Sequence, residues 1–299
     1  MADFQRLYEA LRDCAIERDV PMRRYTTFRA GGNAKLMLFP NDPKQIALAL
    51  FACEDCGVPW YIVGNGSNLL VRDGGIDALV IRFDERMGGI ARQGDVFRAG
   101  AGQSLSALAN FALKSGYMGL EWAAGIPGTV GGAVAMNAGA YGGQLSDVIK
   151  SVRVIQNGRE ETLEVKAGDM GYRTSAYAAP SCIVLEAAFR LSPDDGDAVG
   201  RQADYMRRRR EKQPLTFASA GSTFKRPEGY FAGVLIEQAG LKGESVGDAQ
   251  VSTLHAGFII NRGNATASDI LELIRRVQKH VFENSGVFLE PEIKIIGKE

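Results

Sequence analysis

Histidine is nearly absent from this sequence: among 299 residues only His255 and His280 occur. Cysteine is almost as scarce, at Cys14, Cys53, Cys56 and Cys182. So little imidazole and thiol leaves poor material for a zinc site, which wants four nitrogen or sulfur ligands at suitable spacing. Four cysteines are also too few for a disulfide scaffold in a chain of this size. Cys53 and Cys56 form one C-x-x-C, but it falls in a helical pattern and no second pair exists. No metal is expected, and the thiols read as helix residues in a reducing compartment. An excess of charge is missing too, since 35 Lys and Arg balance 35 Asp and Glu. That balance argues against nucleic acid as a partner, because such proteins carry an overall or segregated basic excess. No run approaches the roughly 18 apolar residues needed to cross a bilayer, so no membrane partner is expected. Residues 1–7 lack the basic start and apolar core of a signal peptide, which makes a cytoplasmic location the expectation.

Apolar residues and glycine are plentiful. The sequence is 45% hydrophobic and 23% charged, the composition of a soluble globular protein with enough apolar material for real cores. Its length suggests two or three domains. Residues 125–143 hold seven glycines in nineteen positions and no charged side chain. Glycine in ordered backbone needs a reason, either a positive φ or close approach by another body. The stretch suits tight turns between strands. It equally suits a backbone that a flat ring can lie against, or that meets an anion through main-chain N–H groups. Spacing alone leaves both open.

Phe4, Leu7, Tyr8, Leu11, Cys14 and Ala15 recur at helical spacing and predict an opening amphipathic helix. Asp42-Pro43 starts a second helix that stops before Gly57. Strands follow at 60–63, 69–71 and 78–83, and this first α/β unit ends near residue 85. Next come a strand at 96–99 and a helix over 104–115 closed by Gly116. Segments 152–156 and 162–165 flank Asn157-Gly158, a strong hairpin signal. A strand covers 182–191, and 193–197 is the best linker. The last region opens on a helix bearing Arg207-Arg208-Arg209-Arg210-Glu211-Lys212. Thr266-Ala267-Ser268-Asp269 is a capping box for a helix with Ile270, Ile274, Val277, Val281 and Phe282 on one face. Gly286 closes it, and 287–296 reads as a final strand pair. The organisation is three α+β units, 1–85, 86–197 and 198–299, with the last strand free to return to the first.

Gly64-x-Gly66 is not a Rossmann motif: Leu69 stands where the third glycine belongs, and strand-like residues follow where a helix is needed. Gly64-Asn65-Gly66-Ser67-Asn68 remains a loop able to offer N–H groups and the Ser67 and Asn68 side chains to a pyrophosphate. Gly221-Ser222-Thr223-Phe224-Lys225-Arg226-Pro227 places a hydroxyl beside two cations. Ser222 suits a nucleophile, a proton donor or a turn residue. Nucleophilic use needs a base, none is near in sequence, and the turn is the favoured reading of the motif alone. In Leu289-Glu290-Pro291-Glu292-Ile293, alternation sends both glutamates to one face and both apolar residues to the other. Carboxylates in so apolar a strand need a partner or a task. Arg173, in Tyr172-Arg173-Thr174-Ser175, suits bidentate carboxylate binding, although a surface ion pair is the commoner fate of a single arginine. The run 207–212 points around its helix and reads as a solvated face, from which Arg209 or Lys212 can reach an anion.

The segments Thr26-Thr27-Phe28-Arg29-Ala30-Gly31-Gly32, 63–70, 125–143, 171–175, 220–227 and 289–297 occur in one order over nearly the whole sequence. Each is weak alone, but as an ordered set they resemble the UDP-N-acetylenolpyruvoylglucosamine reductase family, that of UDP-N-acetylmuramate dehydrogenase. The resemblance implies an α+β fold. Two N-terminal subdomains would hold FAD non-covalently in the vanillyl-alcohol-oxidase-like manner, and a C-terminal α+β domain would bind substrate. It implies NADPH as hydride donor and UDP-N-acetylglucosamine enolpyruvate as substrate, in peptidoglycan precursor synthesis by a monomer. Matched residue by residue, Arg173, Ser222 and Glu292 would be catalytic, with Ser222 the proton donor. Gly64, Asn65, Gly66, Ser67, Asn68, Leu69, Gly125, Ile126, Pro127, Gly128, Thr129, Gly131, Gly132, Asn137 and Ala140 would line the cofactor. Tyr141, Tyr172, Arg209, Lys212, Lys225 and Arg226 would meet the substrate, with Arg226 standing where other members carry a neutral amide. Glu292 beside the substrate carboxylate is expected to be protonated or bridged by water. Only eight residues separate Arg173 from the strand at Cys182, too few for the tyrosine-bearing lid of some members, so the shorter branch is implied. The competing reading is another FAD oxidoreductase of the same superfamily acting on a sugar or alcohol. Such enzymes often tether flavin through histidine or cysteine, and the scarcity of histidine counts against it.

Overall fold

A computed structural model describes residues 2–299. The chain divides into two compact units, each assembled from three segments. The first comprises Met1–Ile16, Leu38–Asn65 and Val80–Arg209, and the second Glu17–Met37, Gly66–Leu79 and Arg210–Glu299. Neither is continuous, so this division differs from the three consecutive segments read from the sequence. Pairing between distant segments is the cause: within the second unit, Lys294–Ile296 runs parallel to Leu69–Val71.

In the first unit, helix α1 (Phe4–Ala10) is shorter than its apolar spacing predicts. Leu11 caps it, and beyond Cys14 and Ala15 the chain becomes the strand Ile16–Pro21, as β-branched Ile16 and Val20 favour. From Glu17 onward that strand belongs to the second unit. Helix α2 (Pro43–Cys56) matches its signals. The Asp42 carboxylate accepts the Gln45 N–H at 2.9 Å, and Gly57 closes the helix at φ 62°. Cys53 and Cys56 are buried in it, and burial pushes the Cys53 thiol up to about 12, so it stays protonated. Five antiparallel strands form the main sheet, in the order Arg159–Glu164, Ile149–Gln156, Cys182–Arg190, Val96–Gly100, Ile90–Gln93. Its hairpin turns at Asn157 and Gly158, both at positive φ, as a two-residue primed turn requires. Helix α3 (Leu105–Lys114) is capped by Ser104. Helix α4 (Val130–Met136) forms inside the glycine-rich stretch and packs on Cys182–Arg190. Helix α5 (Ala198–Lys212) carries the arginine run.

In the second unit, α6 (Ala232–Gln238) and α7 (Ala267–Ser285) share a core with the sheet Ser245–Val246, Ala249–Val251, Ile259–Asn261. The capping box is formed, with Thr266 Oγ1 accepting the Asp269 N–H and the Asp269 carboxylate accepting the Thr266 N–H. Asp73 adds two more acceptors for this helix start, at 2.9 Å from the Ala267 nitrogen and 2.8 Å from that of Ser268. Ile270, Ile274, Val277 and Val281 are buried, but Phe282 is 53% exposed. It lies about 100° round the helix from Val281, off the apolar stripe. The expected strand pair at the end is reduced. Only Lys294–Ile296 is a strand, and Pro291, lacking an N–H, joins Phe224 in a single bridge. Among the described residues, no helix is long and apolar enough to cross a membrane.

Candidate active site

In the first unit, the glycine-rich stretch is bonded both within itself and to the segment 101–105. Thr129 Oγ1 accepts the Gly132 N–H at 3.3 Å, the Val130 N–H reaches Gln103 O at 2.8 Å, and the Gly131 N–H reaches Ala101 O at 2.9 Å. The donors that would have made an anion cradle at the start of α4 are therefore used within the protein. Most of the glycines answer to the protein's own atoms. A Cβ on Gly131 would lie 2.9 Å from that of Ala101, one on Gly139 would lie 2.8 Å from Gly143 O, and one on Gly143 would overlap the Trp122 ring. Gly132 differs: it is exposed, and its Cβ would meet only Thr129 Oγ1 at ordinary contact.

Two segments singled out in the sequence meet here. A Cβ on Gly64 would overlap Thr129 Oγ1, and Asn65 donates from Nδ2 to Pro127 O at 2.9 Å. The main chain of 126–128 is tied down as well, by Ile126 N–H to Ala123 O and Leu105 N–H to Gly128 O, both at 3.0 Å. An uncharged, small-residue junction with an open glycine on α4 fits a large flat cofactor laid against backbone. Gly125 is covered on its own account, since its Cβ would lie 2.7 Å from Arg209 Cδ. Burial pulls the Arg209 pKa down, opposed by the nearby Tyr141. Tyr141, at φ 53°, stacks on Tyr205 with centroids 4.8 Å apart. The pair lines a cleft of about 490 Å³ with Arg201, Asp204 and Arg208. Ala140 pairs with Gly143 in a two-residue ladder.

Arg173 stands on the turn between Met170–Gly171 and Thr174–Ser175, at φ 56°. Its Nη2 donates to Gly139 O at 3.2 Å, and its guanidinium lies 5.2 Å from the Tyr172 ring centroid. Asn137, the left-handed cap of α4, is buried. Expected at the cofactor, its amide is instead bonded within the protein, with Nδ2 donating to Gly171 O at 3.0 Å and Oδ1 accepting the Ser146 N–H at 3.0 Å.

In the second unit, Gly66 sits at φ 59° with Tyr25 O where a Cβ would go, so glycine is obligatory. Ser67 is half-buried beside it. Asn68 donates from Nδ2 to Glu292 O at 3.3 Å, and Leu69 pairs with Lys294. The loop expected to serve cofactor thus also pins Glu292. Thr223 is fully buried and makes three main-chain attachments. Its N–H reaches Gly257 O at 2.9 Å, its carbonyl accepts the Glu292 N–H at 2.8 Å, and its Oγ1 accepts the Ile259 N–H at 3.0 Å. Ser222 is exposed next to it. The alternation read for 289–293 holds, with Leu289 and Ile293 buried, Glu290 exposed and Glu292 half-buried. Lys225 forms an ion pair with Glu290, and Arg226 lies 3.9 Å over the Phe231 ring. Lys212 is exposed at the end of α5. His255 Nδ1 accepts the Gly257 N–H at 3.1 Å, and burial lowers its pKa. Thr223, Phe231 and Tyr205 carry no mark in the sequence; each matters through a partner that only folding supplies.

Family models match two stretches of the chain. Residues 34–166 match an FAD binding domain, and residues 213–296 match the UDP-N-acetylenolpyruvoylglucosamine reductase C-terminal domain. A UDP-N-acetylenolpyruvoylglucosamine reductase from Clostridium botulinum is 52% identical over 283 residues, 94% of this chain and 92% of that protein. The chain belongs to this reductase family. A relative of the same name from Clostridium novyi is 49% identical over 95% of this chain and 93% of its own length. The crystal structure of UDP-N-acetylenolpyruvylglucosamine reductase (MurB) from Thermus caldophilus superposes with a TM-score of 0.82. It is 35% identical and covers 94% of this chain and 99% of its own. The fold is therefore α+β with an FAD-binding module, and the protein is an FAD-dependent oxidoreductase of this family.

Proposed function

We propose that the protein reduces the enolpyruvyl ether of UDP-N-acetylglucosamine to UDP-N-acetylmuramate, a cytoplasmic step of peptidoglycan precursor synthesis. FAD, when bound, would accept a hydride from NADPH and, once reduced, would supply it to the substrate double bond. Hydride added to the terminal carbon of the double bond leaves carbanion character beside the substrate carboxylate, spread as an enolate. Arg173 neutralises that developing charge through oriented N–H donors. The Ser222 hydroxyl then gives its proton to the carbon next to the carboxylate and regains one from solvent. One hydride and one proton have thus crossed the double bond. A serine is a weak acid, but a carbanion-like centre is a strong enough base to take its proton. Lys225 and Arg226 stabilise the transient alkoxide. Glu292 is neutral beside the substrate carboxylate, or bridged to it by water, because two carboxylates at close range do not both ionise.

Residues 64–69, 125–129, Gly131, Gly132 and Ala140 line the cofactor, while the bonded amide of Asn137 serves the protein's own main chain. Tyr141, Tyr172, Arg209, Lys212, Lys225 and Arg226 face the sugar nucleotide. With eight residues between Arg173 and Cys182, there is no inserted lid, and cations take its place over the diphosphate. What supports the reading most is that the segment bearing Ser222 runs beside the one bearing Glu292, joined by the Glu292 N–H to Thr223 O bond at 2.8 Å. The test is stoichiometric. Purified protein should be yellow, and it should consume one NADPH for each UDP-N-acetylmuramate formed. A colourless protein that takes up no FAD, or NADPH oxidation without that product, contradicts the proposal.

A further inference from the structure

We propose that Asn137 is a positioning residue for Arg173: it fixes the turn that carries the guanidinium and touches neither cofactor nor substrate. The inference rests on the reading of Arg173 as the group that stabilises the developing charge. A helix end in the left-handed conformation needs only glycine or asparagine. Asn137 does more than cap. Its side chain is buried, and both ends of the amide are bonded, to Gly171 O and to the N–H of Ser146. Gly171 precedes Arg173 by two residues, within the same tight turn. The donor of Asn137 therefore holds the base of the turn, and Gly139 O holds its tip through Arg173 Nη2. A third bond, Ser175 Oγ to Ala135 O at 3.2 Å, fastens the far strand to α4. Arg173 itself is in the left-handed region, unfavourable for a residue with a side chain and maintained only where surroundings enforce it. Three bonds from residues 135–139 do that, and the Asn137 amide is the one that sets where the turn begins.

Asn137→Asp keeps the acceptor for Ser146 but removes the donor to Gly171 O, and Asn137→Gly keeps the left-handed backbone without any amide. Each is made in the wild-type and Arg173→Gln backgrounds. Three things are measured anaerobically: flavin content, flavin reduction by NADPH, and reoxidation by the enolpyruvyl sugar. In the wild-type background, reoxidation is expected to slow on the order of 10- to 100-fold, the cost of misplacing a catalytic group by about an ångström. Flavin content and reduction are expected to persist. In the Arg173→Gln background, neither Asn137 variant should slow reoxidation further. Equal losses in both backgrounds overturn the inference, and a parallel loss of flavin makes Asn137 a cofactor contact. If Arg173→Gln itself reoxidises at the wild-type rate, the charge-stabilising reading falls first and takes the inference with it. If Asn137→Asp does not fold, Asn137→Gly alone decides between these outcomes.

Discussion

Arg173 sits on a two-residue turn tied to the end of α4 by bonds that each use a side chain, whereas Ser222 and Glu292 lie on segments held mainly by main-chain bonds. In the first region the supports are Asn137, Ser175 and the Arg173 guanidinium itself. In the second, the Glu292 N–H and the Thr223 N–H both end on carbonyls, and Thr223 Oγ1 is the chief side-chain support. Side-chain supports can be removed singly, while main-chain bonds survive most substitutions. The Arg173 region should therefore lose function through its neighbours, and the Ser222 region mainly through Ser222 itself.

The largest effect should come from Ser222→Ala. Turnover with the enolpyruvyl sugar is expected to fall about 10²- to 10⁴-fold, the span of general-acid contributions. Because Ser222 is exposed, its unfolding temperature should stay at the wild-type value; a large drop would make the residue structural. Arg173→Lys should cost about 10²- to 10³-fold in turnover, since an ammonium cannot reproduce the planar fork of donors. A conserved rate in that variant would show that charge alone suffices. Thr223→Val leaves the Ile259 N–H without its acceptor in a buried place, and chemical denaturation should register about 1–3 kcal/mol of lost stability. Thr223→Ser should recover most of it. If Thr223→Val unfolds at the wild-type denaturant concentration, main-chain bonds alone hold the second region.

Asp73 lies outside both segments proposed to be catalytic and serves as a control. Burial pushes its carboxyl up. The Ser268 hydroxyl and the N–H groups of Ala267 and Ser268 outweigh that and hold it below the usual value. Its stabilisation is thus present above the unfolded pKa of about 3.9. It is lost as pH falls through the folded value. Asp73→Asn should cost about 1 kcal/mol at neutral pH and little at low pH, with turnover unchanged. A stability gap that persists in acid would assign the effect to shape instead of charge.

What could be read in the sequence follows the same division between local and distant causes. Asp42-Pro43, Asn157-Gly158 and Thr266 to Asp269 carry their own stereochemistry, so their elements form as read. Helix α4 was not legible, because glycine and valine make poor helix and its first amides depend on Gln103 and Ala101. Phe282 looked apolar enough for the core but falls off the stripe. Of the candidate site, Arg173, Ser222 and Glu292 stood out by type and motif. The use of Asn137 and Thr223 did not, since a buried amide or hydroxyl acquires its meaning from residues that chain folding brings to it.

The most direct measurement is anaerobic stopped-flow on Ser222→Ala, with NADPH and the UDP-sugar enolpyruvyl ether supplied in turn. The account predicts flavin reduction at the wild-type rate and reoxidation by the enolpyruvyl sugar slowed by orders of magnitude. Equal slowing of both half-reactions, or reoxidation at the wild-type rate, would contradict it.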